Sequence, residues 1–200
     1  MYEVLGFKLN ASIVHPKTKV IIVDNICFFF CLIFAIHLWP GIGYLHSNEE
    51  SKPTIVHQNI SVENVLLDYQ FNPLIRDAGL PMLLADDVVF SALKVSAAMG
   101  YLAPEYITTG HFTEKSDIYA FGVIILQVLS GKTTIGSSIR TAVESFRFDD
   151  SVDTNLKGIY SKSEAATLSK LAIQCTNELP DERPTMVDVI QELSVLSAHL

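Results

Sequence analysis

The sequence contains little cysteine, glycine, proline and charge, and each shortage excludes a class of protein. Its 200 residues include only 3 cysteines, 10 glycines and 8 prolines, a composition that excludes disulfide-rich scaffolds and collagen-like chains. Charged residues make up 18% and hydrophobic residues 49%, whereas disordered chains have high charge and low hydrophobicity. The net charge is −8 and no cluster of lysine and arginine occurs, so no nucleic-acid partner is expected. The class that is left is a globular protein, and its length corresponds to about one domain.

The cysteines are not expected to form a metal site or a complete set of disulfides. Cys27 and Cys31 stand four residues apart, but no other cysteine or histidine lies at a spacing typical of zinc ligands. Because three cysteines cannot all pair with one another, a reducing compartment is favoured over secretion.

The longest apolar run, ICFFFCLIFAIHLW, covers residues 26–39 and ends at Pro40. It is shorter than the stretch of about 20 residues that a membrane-spanning helix needs. Three interpretations stay open: a buried helix, an unnatural segment that packs poorly, or a membrane anchor that keeps the preceding lysines cytoplasmic. We therefore predict two parts, an atypical apolar N-terminal segment over residues 1–40 and a domain over residues 41–200.

The second half of the chain is predicted to be helical. Thr113 is a predicted N-cap, Gly131 follows the last turn, and the stretch DIYAFGVIILQVLS between them is apolar on all sides. This helix should therefore be central and buried. The S-x-x-E capping box that begins at Ser161 predicts a second helix, and Thr185 can cap a third. Both of these helices carry an apolar stripe at helical spacing.

The part before these helices alternates between short apolar pieces and turn residues. Residues 55–56, 65–68 and 73–76 are predicted to form small strands. Residues 80–102 have weak periodicity and are predicted to form a long loop, which usually has a function when it occurs inside a compact domain.

Five short motifs follow one another in a fixed order. They are VHQNISVENVLLD (56–68), IRDAGL (75–80), MGYLAPEY (99–106), SDIYAFGVIILQVLSGK (116–132) and ERPTM (182–186). Together they resemble the C-terminal lobe of a protein kinase, and most of all plant leucine-rich-repeat receptor-like kinases with a degenerate catalytic loop. The resemblance implies a mostly α (α+β) C-lobe with a few short strands. It also implies that the N-lobe is absent, since neither a glycine-rich phosphate loop nor a V-A-I-K strand is found.

The catalytic loop implied by this resemblance is degenerate. The kinase pattern H-R-D-L-x-x-x-N falls on residues 57–64, and Asn59 stands at the position of the catalytic aspartate. A neutral amide is a poor proton acceptor, and loss of a general base costs about 10²–10⁴ in rate. Ser61 stands where serine/threonine kinases carry a lysine, and Gln58 replaces the arginine that receives a phosphorylated activation loop.

The resemblance also implies a nucleotide site and a metal site. Asn64 and Asp77 match the two Mg²⁺ ligands, although Asp77 begins the sequence D-A-G instead of D-F-G. Val65, Leu66 and Leu67 match the apolar floor under adenine. ATP and Mg²⁺ are thus the implied cofactors, bound weakly or not at all because a single lobe leaves the nucleotide exposed to water. An alternative is that Asn64 and Asp77 only make hydrogen bonds within their loops.

Four further residues match structural positions of the kinase family. The resemblance implies that His57 packs in an apolar stack and that Asp117 accepts backbone N–H groups of the catalytic loop. It also implies that Glu105 of the A-P-E motif pairs with Arg183 in a buried ion pair.

These features predict a kinase-domain fragment of a plant receptor-like kinase, a catalytically impaired pseudokinase that acts in signalling by binding. Its partners would be signalling proteins or another receptor kinase. It would lie in the cytoplasm or at the cytoplasmic face of the plasma membrane. Two alternatives remain, a low-activity ATP-dependent serine/threonine kinase and an adaptor anchored to a membrane through residues 26–39.

Overall fold

The computed structural model is mostly helical, with a few short strands. It describes residues 2–4, 7–15, 18–22, 40–48, 52–67, 73–79, 96–97, 99–144 and 161–197. The helices are α1 (residues 40–46), α2 (Pro104–Thr109), α3 (Glu114–Ser130), α4 (Ser137–Glu144), α5 (Lys162–Cys175) and α6 (Met186–Ser197). Two 3-10 turns cover Val62–Asn64 and Pro180–Glu182. This architecture confirms the predicted fold class, which is mostly helical with a few short strands.

The strands form one antiparallel sheet in which each strand pairs with the next along the chain. They are β1 (Tyr2–Val4), β2 (Phe7–His15), β3 (Thr18–Ile22), β4 (Val65–Leu67) and β5 (Pro73–Ile75). Strands β4 and β5 confirm the two small strands predicted in this region. Between β3 and β4, Val20 lies opposite Leu66, so the sheet continues from the early residues into the region of the catalytic-loop motif.

The strand predicted over residues 55–56 is wrong. Both residues have irregular backbone. The amide of Ile55 donates to the carbonyl of Leu45 at 2.8 Å, at the end of α1. Two β-branched residues are too short a signal for a strand when a neighbouring helix end takes their backbone hydrogen bond.

The end of the loop predicted over residues 80–102 also differs from expectation. Residues 80–95 and 98 lie outside the described part, whereas residues 96, 97 and 99 are helical. The amide of Gly100 donates to Ala97 O at 3.1 Å, and Gly100 has φ +92°, a conformation that glycine adopts easily. A short helical turn therefore ends this segment.

Helix α3 is the central, buried helix that the sequence predicts. The amide of Thr113 donates to Ser116 Oγ at 3.1 Å, and Gly131 ends the helix with φ +65°. Ile124 is only 2% exposed, and Leu126 is fully buried. A Cβ atom on Gly122 would lie 2.7 Å from Cys175 Cβ, so this glycine lets α3 approach α5 closely. The helix is apolar on all sides because other elements surround it.

Helices α5 and α6 begin at the predicted capping residues and pack with their apolar stripes inward. The amide of Glu164 donates to Ser161 Oγ at 3.4 Å. The amide of Asp188 donates to Thr185 Oγ1 at 3.2 Å, and the Asp188 carboxylate accepts the Thr185 amide at 2.8 Å. The buried stripe residues are Ala165, Leu168, Leu171, Ala172 and Cys175 in α5 and Met186, Val189, Leu193 and Leu196 in α6.

The apolar run over residues 26–39 lies outside the described residues. Its role as a buried helix or as an anchor therefore stays a prediction, and so does the division into residues 1–40 and 41–200. Within the described ranges, no helix combines the length and the apolar character that crossing a bilayer requires.

Candidate functional site

The catalytic-loop motif is held in place by a buried carboxylate at the start of α3. Asp117, which is 2% exposed, accepts the amide of His57 at 2.7 Å and the amide of Gln58 at 2.9 Å. The ring of His46, at the end of α1, lies 2.9 Å from the same carboxylate. Gln58 has φ +68°, a left-handed conformation that is uncommon for a residue with a side chain. Two amide hydrogen bonds to one carboxylate therefore stabilise a loop conformation that is locally unfavourable.

The predicted base position, Asn59, lies inside this loop and makes backbone hydrogen bonds on both sides. Its amide donates to His57 Nδ1 at 3.2 Å, and its carbonyl accepts the side-chain amide of Asn64 at 2.8 Å. At this position an amide oxygen replaces a carboxylate, so a substrate hydroxyl would find a hydrogen-bond partner but no effective proton acceptor.

His57 is fully buried and has the properties of a packed, neutral imidazole. Burial lowers the pKa of His57 and outweighs the opposing effect of the Asp117 carboxylate. Because Nδ1 accepts the Asn59 amide, the proton of the neutral ring lies on Nε2. A buried ring whose pKa is lowered is consistent with the packing role that the kinase resemblance implies.

Ser61 lies directly before the 3-10 turn Val62–Asn64, and Asn64 is the last residue of that turn. Both are buried, with exposed fractions of 8% and 7%. The amide of Arg76, directly after β5, donates to the Asn64 carbonyl at 3.0 Å. The turn is therefore tied to the segment that contains Asp77, and the structure brings the two predicted Mg²⁺ ligands into one region.

The two predicted metal ligands do not form an open set of anionic oxygens. The Asp77 carboxylate lies 3.4 Å from Arg76 Nε, and the Asn64 side chain donates to its own loop. Mg²⁺ prefers several oxygen ligands in octahedral geometry. In the part of the chain that the structure describes, no group of three or more histidine, cysteine, aspartate or glutamate residues could hold a metal ion. The Asp77 carboxylate thus already lies beside a cation, and the role of Asn64 and Asp77 in Mg²⁺ binding stays a prediction.

The three predicted adenine-floor residues lie on strand β4 but do not share one face. Val65 is 3% exposed and belongs to the hydrophobic core. Adjacent strand residues point to opposite faces, so Leu66 points away from that core. Leu66 lies opposite Val20 on β3 and Leu74 on β5. Leu67 is the last residue of β4. The role of all three residues in nucleotide binding stays a prediction.

Glu105 and Arg183 form a bidentate ion pair. Arg183 Nη1 donates to Glu105 Oε1 at 2.8 Å, and Nη2 donates to Oε2 at 2.7 Å. Ser116 Oγ also donates to Glu105 Oε1 at 2.9 Å. Partial burial acts to raise the pKa of Glu105, but these hydrogen bonds outweigh it, and the pKa lies below its ordinary value. The pair joins α2 to the turn that precedes α6.

Two residues with clear contacts in this region were not predicted. His46 contacts Asp117, and no local sequence signal indicates this contact because 71 positions separate the two residues. Arg76 was also missed, although a basic residue directly before a predicted metal ligand is a signal that the sequence contains.

A helical lobe built around α3, with a loop of the H-x-x-x-x-x-x-N type anchored to it, defines a protein of the kinase class. The pseudokinase domain of BIR2, described as an immune regulator of the RLK/Pelle family, superposes with a TM-score of 0.74 at 27% sequence identity. This alignment covers 88% of this chain and 54% of that domain. Residues 24–193 match the family model described as protein tyrosine and serine/threonine kinase. The chain belongs to this family.

Curated relatives are plant receptor-like kinases and similar kinases. A probable LRR receptor-like serine/threonine-protein kinase of Arabidopsis thaliana is 37% identical over 164 residues, which cover 76% of this chain. Cold-responsive protein kinase 1 of the same plant is 34% identical over 165 residues, which cover 77% of this chain. The chain spans only 17% and 42% of the lengths of these two relatives. The resemblance to plant receptor-like kinases is thereby confirmed.

Proposed function

We propose that this chain is a pseudokinase portion of a plant receptor-like kinase, which acts in signalling by binding other proteins instead of transferring phosphate. The observation that carries this proposal is the catalytic loop, which is ordered by Asp117 but has Asn59 at the base position. The loop therefore retains its anchor and lacks the group that would accept a proton.

The pattern of retained and altered residues supports a binding role. The groups that hold the lobe together are present, since Asp117 binds the loop and Glu105 pairs with Arg183. The altered groups include the ones that would act on a phosphate or on a substrate hydroxyl, namely Asn59 and Ser61. Phosphoryl transfer depends almost entirely on positioning and electrostatics, so these losses act on catalysis and leave a folded surface.

The relatives support a proposal for the partners and the place of action. Leucine-rich-repeat receptor kinases are among the similar proteins, so we propose that this chain binds signalling proteins or another receptor kinase. The BIR2 domain is a pseudokinase and an immune regulator, which is consistent with a regulatory use of a kinase-like lobe. We place the chain in the cytoplasm or at the cytoplasmic face of the plasma membrane.

A phosphorylation assay with radiolabelled ATP and Mg²⁺ tests the proposal. The full chain and its Asp77→Ala variant are each incubated with a serine/threonine peptide, and incorporation into peptide and chain is counted. We expect equal, background-level incorporation in both. Incorporation that depends on Asp77 would overturn the proposal. A direct titration with the cytoplasmic domain of an active receptor-like kinase tests the binding role, and saturable binding is the expected result.

A low-activity serine/threonine kinase is the second candidate. It is favoured by one observation, the backbone hydrogen bond from Arg76 to Asn64 that holds the two predicted metal ligands in the same region. This candidate predicts that incorporation in the same assay is above background and falls to background in the Asp77→Ala variant.

A further inference from the structure

Arg76 lies between the two residues that the kinase resemblance assigns to Mg²⁺. Its backbone amide donates to Asn64 O at 3.0 Å. Its side-chain Nε lies 3.4 Å from the Asp77 carboxylate. The residue that ties the two predicted ligands together through its backbone therefore also places a permanent positive charge beside one of them.

The Arg76 Nε atom is buried, and the Asp77 carboxylate is the acidic group beside it. Within the described part of the chain, this atom makes no hydrogen bond, so the Asp77 carboxylate at ion-pair distance is the group that balances its charge. Asp77 itself has φ +64°, a left-handed conformation that aspartate tolerates better than most residues. The local backbone thus holds Asp77 in an uncommon conformation directly after the arginine with which it pairs.

We propose that Arg76 is a built-in counter-ion of Asp77, which disfavours a divalent cation at the predicted metal site. The inference deepens the proposed function, on which it rests, because it adds a reason for weak metal binding that is independent of Asn59. A divalent ion bound by Asp77 would lie within a few ångströms of the guanidinium and would be repelled by it.

Solvent exposure limits the repulsion between the Arg76 guanidinium and a cation bound by Asp77. The side chains of Arg76 and Asp77 are 40% and 36% exposed, so water and salt screen the interaction strongly. Exposed ion pairs contribute little, and the median lies near zero to about 1 kcal/mol. We therefore expect removal of the Arg76 charge to tighten divalent-cation binding by a factor of about 2 to 5, with a smaller factor at high salt.

The test measures Mn²⁺ binding to the full chain by the loss of the free Mn²⁺ signal in electron paramagnetic resonance. Mn²⁺ accepts the same oxygen ligands as Mg²⁺ and needs no nucleotide in this assay. The variants are Arg76→Gln, which removes the charge, and Arg76→Lys, which keeps it. Arg76→Gln combined with Asp77→Asn removes the ligand as well and corrects for non-specific binding to a chain with net charge −8.

We expect Arg76→Gln to bind Mn²⁺ about 2- to 5-fold more tightly than the wild type, Arg76→Lys to remain weak, and the double variant to lose the gain. An Arg76→Gln affinity equal to that of the wild type, or a gain that persists without the Asp77 carboxylate, would overturn the inference. Arg76→Ser serves as a second neutral variant if Arg76→Gln does not fold. If only the inference about Arg76 is wrong, the Mn²⁺ titration fails while wild-type phosphoryl transfer stays at background. If the proposed function is wrong, the phosphorylation assay shows incorporation that depends on Asp77.

Discussion

Replacement of Arg183 by alanine should be the most informative single change in the helical lobe. The Arg183 side chain is fully buried, and its guanidinium contacts both Glu105 carboxylate oxygens. Its Nε also donates to Asn177 O at 2.8 Å, and Nη1 donates to Lys115 O at 2.8 Å. One substitution therefore removes the counter-ion of a largely buried carboxylate and the hydrogen-bond donors to three backbone carbonyls, those of Lys115, Asn177 and Glu178.

The expected cost follows from these lost contacts. Removal of one partner from a buried ion pair destabilises a protein by about 3–5 kcal/mol, because the other charge remains buried without compensation. In a chain of this size, about 1 kcal/mol shifts the melting temperature by about 2–4 °C. The Arg183→Ala variant should therefore melt about 6–20 °C below the wild type at pH 7. Arg183→Lys, which keeps the charge but cannot form the bidentate contact, should lie between the two.

The pH dependence provides an independent check on the same pair. The pKa of Glu105 is lowered in the folded state, so its contribution is present above the unfolded-state pKa and is lost as the pH falls through the folded-state value. The difference in melting temperature between wild type and Arg183→Ala should accordingly shrink under acidic conditions. Thermal melts followed by circular dichroism measure both quantities. Equal melting temperatures at pH 7 would refute the argument that the pair stabilises the lobe.

Two further changes test the packing of α3. Gly122→Ala would place a Cβ atom 2.6 Å from Thr176 Cγ2 and should destabilise the chain by about 1–3 kcal/mol in urea unfolding, whereas Gly136→Ala, with open space around it, should be near neutral. Burial raises the pKa of Tyr101 to about 12, so its phenol should remain protonated in ultraviolet titrations up to about pH 11 as long as the chain is folded. Tyr101→Phe removes the 2.6 Å hydrogen bond to the buried Gln127 amide oxygen and should cost about 1–3 kcal/mol in the same urea experiment. A loss below about 0.5 kcal/mol for Gly122→Ala or Tyr101→Phe would contradict the packing described above.

Local sequence signals predicted the helical part of the fold well. Helix α3 could be recognised because its apolar residues surround the whole helix, and its end at Gly131 because glycine adopts a positive φ easily. The capping residues Ser161 and Thr185 marked the beginnings of α5 and α6, since their hydroxyl groups accept amide hydrogen bonds within one turn. These signals involve residues close in sequence, and no tertiary information is needed to read them.

The parts of the fold and site that the sequence did not predict depend on contacts between distant residues. The irregular backbone at residues 55–56 results from a hydrogen bond between Ile55 and the end of α1. The pairing of β3 with β4 joins segments more than 40 positions apart. His46 contacts Asp117 across 71 positions. Hydrophobic periodicity and capping describe neighbours along the chain, so they cannot indicate which distant group completes a hydrogen-bond network.

The structure separates the groups that hold the catalytic loop from the groups that would react on it. Asp117 binds two loop amides whatever side chain stands at Asn59, because the contacts are made by the backbone. Substitution of the base therefore leaves the loop conformation largely intact, and a kinase-like lobe can lose catalysis without losing its shape. In the inference proposed above, Arg76 would act on the predicted metal position in the same way, since its side chain lies beside Asp77 while its amide holds Asn64. Restoring aspartate at Asn59 alone would return a proton acceptor but would leave the positive charge beside Asp77 and the missing lysine at Ser61, so phosphoryl transfer should not recover from that single change.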